Sequence, residues 1–389
     1  MWRHIASNAL TFFIVGLFLL AGFVSFAAKK YSAPGPLEQA ICLQVDRGTN
    51  MRKVIANLAD QGAISSATVM RIGADYAKKT HELKAGSFLV PESASMEEIV
   101  EIVTRGGANT CGTEIVFRVG VTGSDVLVRE LDPATNRFVE VAKFDPTVEE
   151  TPAEYDTIAA NPDTLFRLAV AEGVTSWQIV DELSRIPLLE VDSSEVPSEG
   201  SLAPGSYEIS EGTTVTSLLN QMSSTQAQIL ADAWANRVDG LPLNSPEEAL
   251  ILASLIEKET GVPTERRQVA SVFINRLNQG IKLQTDPAVI YGITKGEGVL
   301  GRGLRRSELN RETPWNTYVI PALPPTPIAN PGRASIEAAL DPDSTEYIFF
   351  VADGTGGHAF AVTLADHNRN VEAWRKIEAE AAAAAGDGG

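Results

Sequence analysis

Residues 245–261 read SPEEALILASLIEKETG, a pattern that predicts one helix from its start to its end. Ser245 suits the N-cap, Pro246 the first helical position, and Glu248 completes a capping box. Residues 249–256 are apolar on nearly every face, which is typical of a helix that is buried all round. Gly261 ends it.

Glu257 is the candidate catalytic residue of this helix. It continues an apolar stripe, because Ala253 and Leu250 precede it by four and seven positions. Partial burial and the last helical turn both disfavour a negative charge, so we expect a raised pKa for Glu257. A general acid near neutral pH needs such a carboxyl. The alternative is an ordinary solvated last turn. Glu259 should point to the opposite side, toward solvent or a basic group.

A second helix is predicted at residues 265–278, with Gly280 as its terminator. Asn275 falls on its apolar side, where a buried amide must bond either to the structure or to a ligand. Two polar loops follow, LQTDP at 283–287 and TPWNTY at 313–318. Amide and hydroxyl groups beside an aromatic ring suit sugar recognition, although a turn with a core tryptophan is the alternative for the second loop.

The end of this region reads as a helix at 335–340, a buried strand at 346–351 and a glycine-rich run at 353–358. Its acidic and histidine side chains lack zinc-like spacing, so no metal site is expected. These are Asp353, His358, Asp366 and His367. The glycine run also lacks the residues of a phosphate loop, and no cofactor is expected.

A pattern occurs twice in the first half of the chain. A strand, a glycine turn and a helix begin at residue 41 and again at residue 165, and LKAGSF at 83–88 is echoed by LAPGSY at 202–207. This pattern indicates a divergent duplication of a small α+β unit, with chance similarity of turn signals as the alternative.

Residues 125–144 alternate around a turn, which predicts a β-hairpin, and residues 145–163 read as an acidic, solvated linker. Cys42 and Cys111 either form a disulfide or pack unpaired in a core.

Residues 9–28 form an uncharged run long enough to span a bilayer. An uncleaved anchor is favoured over a signal peptide, although residues 25–27 resemble a cleavage site. Either reading exports the rest of the chain. The net charge of −18 argues against nucleic acid as a partner.

Five segments together resemble the YceG-like endolytic murein transglycosylases, the MltG family. They are ASLIEKET (253–260), VASVFINRL (269–277), LQTDP (283–287), NTY (316–318) and FFVADGTGGH (349–358). The similarity runs from about residue 37 to about residue 374, and the segment from about 107 to 163 departs from the family's pattern.

The resemblance implies an α+β protein in which an N-terminal transmembrane helix precedes a LysM-like module and a mixed α/β YceG-like catalytic domain. The expected segments are a cytoplasmic stub (1–8), the transmembrane helix (9–28), a linker (29–37), the LysM-like module (38–106), the hairpin insertion with its acidic linker (107–164), the catalytic domain (165–376, with a second LysM-like repeat at 165–222) and a flexible tail (377–389).

The resemblance also implies a lyase that cleaves the β-1,4 bond between N-acetylmuramic acid and N-acetylglucosamine in nascent peptidoglycan and so terminates glycan elongation. Glu257 would serve as acid and then as base, leaving 1,6-anhydro ends. The expected sugar contacts are Asn275, Gln284, Thr285, Asp286, Asn316 and Tyr318. The enzyme would sit in a bacterial inner membrane as a single-pass protein with a periplasmic body, beside peptidoglycan synthases. The alternatives are an inverting muramidase with Asp286 as base, and a non-catalytic peptidoglycan-binding scaffold.

Overall fold

The computed structural model describes residues 2–46, 48–105, 111–161 and 164–386, which form an α+β protein. The helices are α1 (Trp2–Tyr31), α2 (Met51–Asp60), α3 (Ala67–Tyr76), α4 (Met96–Arg105), α5 (Ala153–Ala159), α6 (Ser176–Leu183), α7 (Val215–Ala235), α8 (Pro246–Glu259), α9 (Arg266–Gln279), α10 (Asp286–Thr294), α11 (Arg306–Leu309), α12 (Arg333–Leu340) and α13 (Leu364–Gly386). The strands are β1 (Ile41–Val45), β2 (Gly86–Val90), β3 (Thr113–Val119), β4 (Ser124–Asp132), β5 (Arg137–Phe144), β6 (Leu165–Val170), β7 (Leu189–Glu190), β8 (Gly205–Ile209), β9 (Thr213–Thr214), β10 (Phe349–Ala352) and β11 (His358–Ala361).

The chain divides into two compact units. The first unit comprises Met1–Ile115, Leu127–Phe144 and Val148–Leu165, and the second comprises Val116–Val126, Asp145–Thr147 and Phe166–Gly389. The predicted boundary between residues 106 and 107 lies outside the described residues.

Helix α1 in the first unit is longer than the predicted run of residues 9–28. Its part Phe13–Tyr31 has a mean hydropathy of 1.8, and by length and composition it fits either a membrane span or a signal sequence. The Tyr31 ring lies so close to Gly73 of α3 that a Cβ there would come within 2.4 Å of it. The predicted linker 29–37 is therefore helical at its start, and at Gly35 it is held by a 2.9 Å hydrogen bond to the Ser93 carbonyl.

The first unit has its own hydrophobic core beneath the antiparallel pair β1–β2. Helices α2 and α4 bury their apolar faces there, at Val54, Ile55 and Leu58 of α2 and at Ile99, Val100 and Val103 of α4. Cys42 of β1 forms a disulfide with Cys111, with the two Cα atoms 5.6 Å apart. Of the two alternatives for these cysteines, a disulfide or two unpaired core residues, the disulfide is the one observed.

Strands β4 and β5 form the predicted hairpin around the turn at residues 133–136. The segment predicted to be a solvated linker differs from expectation, because it contains helix α5. Tyr155 of α5 packs edge-on against Phe144, with ring centroids 5.6 Å apart. The free energy gained by packing these two rings offsets the entropy cost of ordering this acidic stretch.

The second copy of the repeat lies in the second unit from Phe166 onward. Strands β6 and β8 pair antiparallel, as β1 and β2 do, and helices α6 and α7 follow their strands as α2 and α4 do. Thr175 caps α6 in a reciprocal capping box with Gln178. The repeat seen in the sequence is therefore also a repeat of secondary structure, while its LysM-like character stays a prediction.

Helix α8 is the centre of the second unit. Ser245 accepts a hydrogen bond from the Glu248 N–H as predicted, but the Glu248 carboxylate bonds the Asn244 N–H instead of closing a capping box. Helices α7, α9 and α12 pack around α8. The shared core includes the fully buried Leu252, Leu255, Ile256, Val269, Phe273 and Ile336. Burial of each such side chain stabilises the fold by roughly 1.5–3 kcal/mol, so the end of α8 is held rigidly.

The chain closes with the antiparallel pair β10–β11 and with α13. The predicted strand at 346–351 is β10, which is only partly buried. Helix α13 continues to Gly386, through most of the segment expected to be a flexible tail; residues 387–389 of that segment lie outside the described residues.

Candidate functional site

Glu257 lies in the last turn of α8, partly buried. Its Oε2 atom accepts a 2.9 Å hydrogen bond from the backbone N–H of Gly332, the N-cap residue of α12. The N-terminus of a helix attracts negative charge, so this contact fixes the carboxyl group and satisfies one of its oxygens. The Oε1 atom is left as the oxygen available to carry a proton.

A second carboxyl group, that of Glu172, lies beside Glu257. The Glu172 side chain covers Gly332, where an added Cβ would come within 1.9 Å of its Oε1 atom. Burial, followed by the negative charge of Glu257, raises the pKa of Glu172, while Arg266 opposes this rise. Two acidic groups that flank one glycine therefore interact electrostatically.

Arg266 provides the balancing charge. It lies at the first position of α9, and its Nη2 atom is 3.4 Å from Oε2 of Glu172. The Arg266 side chain is only 13% exposed, and its Nε–H group is buried without a hydrogen-bond acceptor among the described residues. This loosely paired guanidinium retains capacity for a further anionic group.

The loop that follows β6 carries Glu172 and is fastened to α8 and to the segment before α12. Lys258 donates a 3.2 Å hydrogen bond to the carbonyl of Gly173, and burial lowers the pKa of Lys258. Asn330 is fully buried; its amide nitrogen donates to the Val174 carbonyl, and its amide oxygen accepts from the Leu202 N–H. These bonds set the position of Glu172.

Glu199 is a further acidic group behind this loop. Its carboxylate accepts a 2.8 Å hydrogen bond from the Ser176 N–H and a hydrogen bond from the Tyr291 hydroxyl. Burial raises the pKa of Glu199, and its negative charge acts on Lys258. The second unit thus gathers three carboxyl groups and two cations around the end of α8.

Glu259 lies near a different set of side chains from those around Glu257. It lies about 200° around the helix from Glu257, as predicted for a spacing of two residues. Of the two expected surroundings, solvent or a basic group, the second is observed: burial raises the pKa of Glu259, which lies near His358 and Arg276 as well as Asp286. The Tyr318 hydroxyl donates a 2.6 Å hydrogen bond to Asp286, and burial together with this bond raises the pKa of Tyr318.

The remaining predicted sugar contacts differ in their accessibility. Gln284 is exposed and has a left-handed backbone with φ +51°, whereas Thr285 is buried beneath Thr317. The Asn275 amide donates to two backbone carbonyls, those of Thr345 and Tyr347.

Asn316 is fully buried, and its amide is occupied by backbone groups. Its nitrogen donates to the carbonyls of Glu308, Leu309 and Arg311, while its oxygen accepts from the Tyr318 N–H. On this geometry the Asn316 amide shapes the loop. The sugar contacts expected of Asn275, Gln284, Thr285, Asp286, Asn316 and Tyr318 stay predictions.

Sequence reasoning missed Glu172, Arg266, Gly332 and Asn330. One signal was present, because Glu172 occupies the position that Arg47 has in the first copy of the repeat. A reversed charge next to the same glycine turn distinguishes the two copies. Gly332 and Arg266 had no comparable signal.

The fold and site define an α+β protein in which two carboxyl groups and an arginine meet at the end of a buried helix, an arrangement typical of acid/base enzymes. The model of the YceG-like family matches residues 43–373, and the chain belongs to this family.

Among curated relatives, an endolytic murein transglycosylase of Streptococcus pneumoniae serotype 2 (strain D39 / NCTC 7466) is 26% identical over 357 residues, which cover 88% of this chain and 58% of the relative. The chain therefore spans somewhat over half of that relative's length. An endolytic murein transglycosylase of Bacillus subtilis (strain 168) is 37% identical over 181 residues, or 45% of this chain and 48% of the relative. A solved YceG-like protein of Listeria monocytogenes covers 85% of this chain and 99% of its own, with 24% identity and a TM-score of 0.44.

Proposed function

We propose that this chain is an endolytic lytic transglycosylase of peptidoglycan, with Glu257 as its acid and then its base. The observation that carries the proposal is the Glu257 carboxyl group, which Gly332 holds through one oxygen and which lies beside Glu172. The similarity to relatives named endolytic murein transglycosylases supports the choice of substrate.

The proposed reaction uses one carboxyl group twice, first as an acid and then as a base. Protonated Glu257 donates its proton to the glycosidic oxygen between the muramyl and glucosaminyl residues, and the bond from that oxygen to the muramyl C1 atom breaks. The Glu257 carboxylate then accepts the proton of the muramyl C6 hydroxyl, whose oxygen bonds to C1. Atoms and charge balance without water, and the product is a 1,6-anhydro end.

The surrounding charges suit this cycle. When it is ionised, the Glu172 carboxylate beside Glu257 stabilises positive charge that develops at C1. The Gly332 N–H stabilises Glu257 after it has lost its proton. Gln284, Asp286 and Tyr318 would contact sugar farther along the strand.

The wider setting belongs to the same proposal. Helix α1 would anchor the protein in a bacterial inner membrane, with the body in the periplasm beside peptidoglycan synthases. The first module would grip glycan in a LysM-like manner. Cleavage of nascent strands there would terminate their elongation.

A hydrolase is the second candidate, and a specific observation favours it. Two carboxyl groups at one site are also the equipment of inverting and retaining glycosidases. Glu172, rather than Asp286, is the group placed beside Glu257 to activate water. Asp286 instead accepts a hydrogen bond from Tyr318.

End-group analysis of the products separates these functions. The full chain in detergent is incubated with purified glycan strands, and the fragments are analysed by mass spectrometry. Internal fragments with anhydro-muramyl ends support the transglycosylase, and reducing muramyl ends support the hydrolase. Binding without any cleavage supports the non-catalytic scaffold.

A further inference from the structure

A polar cleft of about 490 Å³ runs along α12, with further walls from α7 and α9. One end of the cleft lies at the Glu257 site, because Arg333 lines it and directly follows Gly332, whose N–H bonds Glu257. Arg266, which pairs with Glu172, lines the same end. Two neighbours of the carboxyl groups therefore line this end of the cleft.

The length of the cleft can be compared with that of a peptide. Arg333, Glu337 and Asp341 line it at successive turns of α12. A helix of this length rises about 12 Å at 1.5 Å per residue. An extended chain covers roughly 3.3–3.6 Å per residue, so the cleft accommodates three to four residues of peptide.

Charge changes along the cleft. Arg333 at the near end is exposed, and the Glu337 carboxylate one turn along α12 is 3.7 Å away, while the buried Nε–H group of Arg266 has no acceptor among the described residues. Asp232 and Asp341 line the cleft farther along.

Arg267 also lines the cleft, but its guanidinium is shared between Asp341 and Asp343. Its positive charge is therefore already offset. The order from the catalytic end is cationic and then acidic.

We propose that this cleft binds the stem peptide of the muramyl residue at which the strand is cut. The inference rests on the proposed function, since it assigns a further part of the same substrate. The stem is joined through a lactoyl group to C3 of the sugar whose C1 is cleaved, so it leaves the ring within a few ångströms of the acid. A cleft that starts next to Glu257 receives it directly.

The charges of a stem match those of the cleft in sequence. Its second residue is glutamate joined through the side chain, which leaves a free α-carboxylate, and its third is commonly a diamino acid with an ammonium group. The carboxylate meets Arg266 and Arg333, and the ammonium group meets Asp232. The planar guanidinium of Arg266 suits a two-point bond to a carboxylate.

The test compares two glycan substrates with the full chain in detergent. One strand keeps its stem peptides, and an amidase has removed them from the other. Wild type should cleave the stem-bearing strand about tenfold faster, the usual effect of one charge-assisted hydrogen bond. Arg333→Gln should bring this ratio close to one. Arg185→Gln, the same change at an exposed ion pair of α6, should preserve it.

A chemical change in the substrate makes the test independent of any variant. Strands whose second stem residue carries an amide in place of the α-carboxylate should be cleaved by wild type no faster than bare strands. Equal cleavage of intact, amidated and bare strands by wild type would overturn the stem site and leave the transglycosylase intact. Cleavage of none of them would overturn the proposed function together with the stem site.

Discussion

Glu257 and Gly332, 75 positions apart in the chain, are joined by a 2.9 Å hydrogen bond from the glycine N–H to the glutamate Oε2 atom. The bond attaches the last turn of α8 to the first turn of α12. Because both helices are buried in one core, the carboxyl group is held in a fixed direction. The chemistry proposed for this protein depends on that arrangement.

Glu172→Gln tests the electrostatic pair. Removing this ionisable group should change the high-pH limb of the pH–rate profile, because burial and then the charge of Glu257 raise the pKa of Glu172, so that Glu172 ionises beside the acid as pH rises. The pH–rate profile checks this, with Glu247→Gln in the first turn of α8 as control. An unchanged high-pH limb would contradict the coupling of the two carboxyl groups.

The same substitution has a consequence for stability. The pKa of Glu172 is raised in the folded protein, so its contribution to stability is fully present below the unfolded pKa and is lost as pH rises through the folded pKa. Glu172→Gln should therefore be at least as stable as wild type at pH 7, and its advantage should shrink towards pH 4. The gain should stay below about 1 kcal/mol because the side chain is partly exposed. Urea titrations at both pH values measure it.

Gly332→Ala should act through Glu172. Gly332 has an ordinary φ of −73°, so alanine fits the backbone, but its Cβ would come within 1.9 Å of the Glu172 Oε1 atom. The flexible Glu172 side chain should move away from the new Cβ, at a cost below about 1 kcal/mol in the free energy of unfolding. The variant should then have the pH–rate profile of Glu172→Gln. The double variant Glu172→Gln/Gly332→Ala should have the same pH–rate profile as Glu172→Gln alone. Additive effects would place the two residues in separate roles. Gly303→Ala, where a Cβ meets nothing within 4 Å, is the control.

Asn330→Ala should loosen the loop that carries Glu172. The substitution removes the side-chain acceptor of the buried Leu202 N–H and one of the two Asn330 donors to the Val174 carbonyl, whose bond from the backbone N–H stays, so the free energy of unfolding should fall by about 1 to 3 kcal/mol. Chemical denaturation checks this, with the exposed Asn278→Ala as control. A loss below about 1 kcal/mol would show that this network does not hold the loop.

Some of this structure was predictable from the sequence and some was not. The start of α8 at Ser245 and the end of α9 at Gly280 follow from local chemistry, a side-chain cap and a left-handed glycine with φ +68°. The pairing of Glu172 with Gly332 depends on the packing of distant segments, which no local pattern encodes. Asn316 illustrates the same limit, because a polar loop residue and a buried loop organiser look alike until neighbouring carbonyls are placed.

Tyr318→Phe tests the outer part of the site. The change removes the 2.6 Å hydrogen bond to Asp286 but keeps the ring. We expect about a tenfold loss in kcat/KM, mostly through a higher KM, if the hydroxyl helps to position sugar. Steady-state kinetics check this, with the exposed Tyr76→Phe as control. Unchanged kinetics would remove Tyr318 from the contacts.

The most direct test of Glu257 as the acid and base is the product spectrum of Glu257→Gln beside wild type, measured by mass spectrometry on purified glycan strands. The amide keeps the size of the side chain and an oxygen for the Gly332 N–H, but it has no proton to give, so folding should be preserved. We expect anhydro-muramyl internal fragments from wild type and from Glu247→Gln, and none from Glu257→Gln. The same fragments from a folded Glu257→Gln protein would contradict this role of Glu257.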